Sequence, residues 1–132
     1  MKLVDSSGWL EFFTGGPLAE AYGVHLADLS QVVTPTIVLY EVYRKIKRER
    51  AEEEALIAAA QIQKTRLVPL DEMIALTAAD IGIEHGLAMA DAIIFATALT
   101  QQAELITSDA DFERLPGVTY LRKRRGSIGL PD

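Results

Sequence analysis

Leu105-Ile106-Thr107-Ser108-Asp109 reads as a short apolar strand running out into polar residues. The segment before it, Asp91-Ala92-Ile93-Ile94-Phe95-Ala96-Thr97-Ala98-Leu99, is apolar nearly all round, the signature of a helix with no solvent face. A buried helix (91–102) feeding a buried strand is half of a parallel α/β unit.

Working outward, the same alternation recurs. Residues 2–5 form a first buried strand, followed by a helix from Ser7 to Phe13 that Gly15-Gly16-Pro17 breaks. A second helix runs to about Ala27, and Gln31-Val32-Val33-Thr34 is the second strand. Pro35 suits the first turn of a helix, where its missing N–H costs nothing. That helix carries Leu39, Val42, Tyr43 and Ile46 as a stripe at helical spacing. A fourth helix covers Glu52 to Lys64, and Leu67-Val68-Pro69-Leu70 is the third strand. Asp71 caps a helix from Glu72 to His85, which Gly86 terminates. Val118-Thr119-Tyr120-Leu121 closes the set after a short helical turn at Asp109–Leu115. The expected fold is a three-layer α/β/α sandwich around a mainly parallel sheet, over residues 1–121, with a basic tail at 122–132.

At 132 residues the chain supports one domain with one core. It has no cysteine, which excludes disulfides and thiolate-bound zinc. Asp5 comes too early for a signal peptide, and no apolar run reaches the roughly 20 residues of a membrane span. A soluble cytoplasmic protein is expected. The net charge is −6, yet nine of the thirteen basic residues fall in two clusters. Arg44, Lys45, Lys47, Arg48 and Arg50 share a helix; Arg122, Lys123, Arg124 and Arg125 begin the tail. Phosphate binding follows local potential more than total charge. The alternative for the helical cluster is a solvated face paired with Glu49, Glu52, Glu53 and Glu54. The tail has no acid close by in sequence.

Four carboxylates stand where a parallel sheet brings distant residues together: Asp5, Glu41, Asp91 and Asp109. Ligands of open parallel sheets bind beyond the carboxyl ends of the strands, where Asp5 and Asp109 lie. Each has a structural alternative. Asp5, Asp91 and Asp109 can serve as helix N-caps, and Glu41 can pair with Lys45 one turn on. Asp111 is either an outer carboxylate or a second acid at a helix start. Clustered carboxylates repel one another and stay partly protonated without a compensating cation. Hard oxygen donors suit Mg²⁺ or Mn²⁺. Ser6, Ser7, Thr107 and Ser108 can position a ligand or water. His25 and His85 sit in ordinary helical settings, and Trp9, Phe12, Phe13 and Phe95 read as core. A phosphoacceptor signalling domain would need paired acids after the first strand and a late lysine, whereas Asp5 is followed by serines.

The motifs Val4-Asp5-Ser6-Ser7, Pro35 through Glu41, Leu87 through Ile94 and Leu105 through Phe112 occur in the order of a known family. In them the chain resembles PIN-domain proteins, and among these the VapC toxins of toxin–antitoxin pairs. The resemblance implies a Mg²⁺- or Mn²⁺-dependent endoribonuclease, usually a homodimer, held in check by a small cognate antitoxin. By matching position, Asp5, Glu41, Asp91 and Asp109 are the implied acidic quartet, with Asp111 as accessory. Ser6, Thr107, Arg44, Lys45 and Arg48 are then expected to meet the RNA. A non-toxin RNA-processing nuclease and a non-catalytic binding protein of the same fold are the alternatives.

Overall fold

Leu3 and Val4, Val33 and Thr34, and Leu105, Ile106 and Thr107 are all fully buried. Successive strand residues face opposite sides, so runs of this kind require a sheet covered on both faces. The computed structural model, which describes residues 1–122, has that architecture. Five short strands run β1 (Lys2–Val4), β2 (Val33–Pro35), β3 (Arg66–Val68), β4 (Glu104–Thr107) and β5 (Val118–Tyr120). Six helices accompany them: α1 (Ser6–Thr14), α2 (Ala19–His25), α3 (Thr36–Glu49), α4 (Glu52–Ile62), α5 (Glu72–His85) and α6 (Met89–Thr100).

All strand pairings are parallel. β4 lies between β1 and β5, with Leu3 opposite Leu105 and Ile106 opposite Thr119. β2 pairs with β3, and one parallel bridge from Lys2 to Val32 joins the two groups. The order is therefore β3-β2-β1-β4-β5, and the chain reverses its direction of progress across the sheet beside β1. That switch point is where an open α/β sheet leaves a crevice at its carboxyl edge.

Several boundaries differ from the sequence reading. Gln31 belongs to a 3-10 turn, Leu29–Gln31, because Asp28 accepts from the amide and hydroxyl of Ser30. Pro35 ends β2 and caps α3 with extended geometry instead of entering the helix. Gly86, at φ 68°, ends α5, and the Leu87 amide reaches back to the Gly82 carbonyl. Ala88 then starts α6 at Met89, two residues before the expected Asp91. Phe12 is 38 % exposed, a correction to its place in the core; Trp9, Phe95 and the unforeseen Phe112 are buried. Among the described residues, no single helix is long and apolar enough to cross a membrane. Lys123, Arg124 and Arg125 of the expected basic tail lie outside the described residues.

Candidate metal centre

Asp5 follows β1 directly and caps α1. Its Oδ1 accepts from the Gly8 amide (2.9 Å), and its Oδ2 accepts from Ser7 Oγ (3.2 Å) and Thr107 Oγ1 (2.5 Å). The carboxylate is nevertheless buried. Desolvation pushes its pKa up, the hydrogen bonds from Thr107, Gly8 and Ser7 pull against that, and Asp109 adds repulsion. Capping and site-building are thus one arrangement here, not rivals.

Thr107 was expected to meet substrate, but it is fully buried. Its hydroxyl donates to Asp5 and accepts from the Asp109 amide at 2.9 Å. One side chain thereby ties together the two strand ends that carry these carboxylates. Thr107 therefore holds the Asp5 carboxylate and the Asp109 amide together, with no surface left to touch RNA.

Asp109 ends the turn after β4 and caps the 3-10 turn Ala110–Phe112 by accepting from the Asp111 amide at 2.9 Å. Asp91 is no cap. It is the third residue of α6, whose N-cap is Ala88 without a side-chain bond. In that first turn the helix dipole favours its charge, but its neighbours do not. Burial first, then Asp109, Asp111, Asp5 and Glu41, push its pKa up to about 6. Carboxylate oxygens of Asp91, Asp109 and Asp111 all lie within 4.8 Å of one another. Asp111, read as an outer acid, is in the tight group; Asp5 and Glu41 flank it closely enough for their charges to reach Asp91. Glu41 is held by Ser6, whose Oγ donates to Oε1 at 2.5 Å. Lys45 pairs instead with Glu49, at 3.5 Å.

Among the described residues, no lysine or arginine forms an ion pair with any of these five acids. The donor set is all hard oxygen and strongly anionic, which fits Mg²⁺ or Mn²⁺ and fits no soft metal.

The basic residues of α3 divide. Lys45 and Arg48 meet Glu49, Lys47 meets Glu52, and Arg50 meets Glu54, all exposed pairs. Solvent-exposed pairs of this kind are screened and hold their side chains only weakly. Arg44 has no ion pair among the described residues. Ser6, Glu41, Arg44, Lys45 and Arg48 line one cleft of about 340 Å³. Arg122 finds an acid after all: Glu113 lies 3.1 Å away and the Tyr120 ring lies beneath the guanidinium. His25 contacts Lys2 Nζ at the other end of β1, and burial and that lysine lower its pKa.

Two residues of the site were not singled out from sequence. Tyr22, fully buried on α2, donates its hydroxyl to Ser108 Oγ at 2.8 Å, beside Asp109. Burial, then the charge of Asp5, raise the pKa of that phenol. Gly8 lets the ring in, since a Cβ there would stand 2.5 Å from Tyr22 Cε1. An isolated glycine inside a helical pattern was the available signal.

The chain is thus an open parallel α/β protein whose switch point gathers Asp91, Asp109 and Asp111 at the carboxyl edge of its sheet. The PIN domain family model matches residues 2–118, and the chain belongs to that family. No curated protein sequence matches it significantly. Among solved structures it resembles a toxin–antitoxin complex from Klebsiella pneumoniae, with TM-score 0.77 and 28 % identity over 90 % of this chain and 96 % of that one. It also resembles VapC20 of Mycobacterium tuberculosis, a sarcin–ricin-loop-cleaving toxin (TM-score 0.70, 18 % identity, 86 % and 92 % covered). The third is VapBC2 of Rickettsia felis bound to promoter DNA (0.72, 13 %, 92 % and 98 % covered). At their identities the last two share the fold.

Proposed function

We propose that the protein is a divalent-metal-dependent endoribonuclease and the toxin of a toxin–antitoxin pair. The observation that supports this most is the convergence of Asp91, Asp109 and Asp111, flanked by Asp5 and Glu41, in a PIN domain. When bound, Mg²⁺ or Mn²⁺ supplies Lewis acidity, which makes water a better nucleophile and offsets charge on the phosphate. Asp91, Asp109 and Asp111 would hold the ion. Asp5, fixed by Thr107 and Gly8, and Glu41, fixed by Ser6, would complete the anionic wall. Arg44, Lys45 and Arg48 would guide the RNA backbone into the adjoining cleft. A small antitoxin and a second copy of the chain are the partners this reading expects.

Purified protein incubated with mixed tRNA and rRNA is expected to give discrete fragments with Mg²⁺ or Mn²⁺ and none with EDTA. Intact RNA under every condition, with the protein folded, would refute the nuclease reading and leave a binding role.

Thr107→Val keeps the shape of the side chain and removes its hydroxyl. The Asp5 carboxylate then loses a donor and the Asp109 amide an acceptor, so Mn²⁺ affinity should fall about 10- to 100-fold. Calorimetric titration of folded variant and parent checks this; equal affinities would rule out the positioning role.

A further inference from the structure

Tyr40 precedes Glu41 on α3 and is 62 % exposed. The helix buries Val38, Val42 and Ile46 on its inner side, so residues 40, 44, 47 and 48 share the outer one. Isolated exposed aromatics are ordinary on protein surfaces. Tyr40 differs in its surroundings. It walls the cleft that contains Ser6 and Glu41, and also a second cleft of about 490 Å³ lined with Tyr43, Arg44, Lys47 and Arg48. The Tyr43 ring already carries Lys47 over its face. Among the described residues, no aromatic ring or cation stacks on Tyr40. One turn further on, Arg44 has its guanidinium unpaired among those residues. An open phenol ring and a nearby arginine, lining the cleft that also holds Glu41, match the needs of an unpaired nucleotide. The ring takes the base face and the guanidinium takes the phosphate.

We propose that Tyr40 is a base-stacking platform, with Arg44 as its phosphate partner, that selects single-stranded RNA in the cleft beside Glu41. The proposal rests on the nuclease reading for its substrate. A duplex cannot use the platform, because its bases are already stacked on one another.

The test measures RNA binding in the Asp91→Asn background, where cleavage does not interfere. The probes are a short labelled mixed-sequence RNA, single-stranded or annealed to its complement, followed by fluorescence anisotropy. Tyr40→Ala is expected to weaken single-strand binding about 10- to 100-fold and leave duplex binding unchanged. Its salt dependence should match the parent, whereas Arg44→Ala should reduce the slope by about 0.7. Tyr40→Phe and Tyr40→Trp should keep the affinity, and the new indole should be quenched when RNA binds. Parent affinity in Tyr40→Ala, or an unquenched indole in Tyr40→Trp, overturns the platform. Cleavage by the unsubstituted protein is assayed alongside. Cleavage with Tyr40-independent binding defeats the platform alone; Tyr40-dependent binding without cleavage upholds it and defeats the nuclease reading.

Discussion

Asp91→Asn is expected to abolish metal-dependent cleavage and, at neutral pH, to make the metal-free protein more stable than the parent. The two effects have one cause. Asp91 is half-buried among four other acids, and its pKa rises from the ordinary 3.8 to about 6. Between those values the folded protein holds more protons than the unfolded chain, so stability falls as pH rises through that window and stays low above it. For a fully buried group such a displacement amounts to ~3 kcal/mol; solvent around Asp91 cuts it to ~1–2 kcal/mol. The amide carries no charge and escapes that cost. Its melting temperature at pH 7.5 should exceed the parent's by roughly 3–8 °C, and the gap should close below about pH 4. Added Mn²⁺ should reverse the order, because an ion that binds only the folded state stabilises the parent by mass action. Melting curves with EDTA and with Mn²⁺ at several pH values, beside the cleavage assay, provide the check. A variant that cleaves normally removes Asp91 from the site, and one that melts below the parent without metal contradicts the electrostatic account.

That trade between stability and charge bears on what the sequence could disclose. Asp91 looked like the opening residue of its helix, where an N-cap is an adequate explanation. The structure starts the helix at Met89, so capping no longer accounts for the acid. The difference is only two residues, but helix starts are set by details such as the extended backbone of Ala88 that a periodicity cannot place. The sheet was legible because its strands are apolar runs with little alternation, a pattern that parallel sheets covered on both faces impose. Asp5 and Asp109 were legible as positions, being polar residues at the ends of such runs. Their supports were not. Thr107 reaches Asp5 across 102 positions, and Tyr22 reaches Ser108 across 86. Contacts of that range follow from strand order, which no local pattern encodes.

Gly8→Ala is where local and tertiary reasoning give opposite signs. By helix propensity the substitution should stabilise, since alanine exceeds glycine by roughly 0.5–1 kcal/mol inside a helix. Packing argues otherwise. The new Cβ would stand 2.5 Å from Tyr22 Cε1 and 2.6 Å from Val4 Cγ1, and both neighbours are fully buried with nowhere to retreat. Overpacking of this kind costs ~1–3 kcal/mol or more, which outweighs the propensity gain. Any shift that relieves it must move the Tyr22 ring or the first turn of α1. The first strains the bond to Ser108; the second displaces the Gly8 amide from Asp5. The variant should therefore melt about 3–10 °C lower than the parent, and it should bind Mn²⁺ more weakly when fully folded at low temperature. Gly82→Ala is the internal control. A Cβ there meets the Leu87 carbonyl at 3.5 Å and Ala92 Cβ at 3.6 Å, ordinary contacts, so propensity should prevail and the variant should gain up to ~1 kcal/mol. Opposite shifts at the two glycines would mean that the close approach of α2 to α1 is what keeps position 8 free of a side chain. A stabilised Gly8→Ala would show that the Tyr22 ring has room to move, and that it does not hold the turns bearing Asp5 and Asp109 in register.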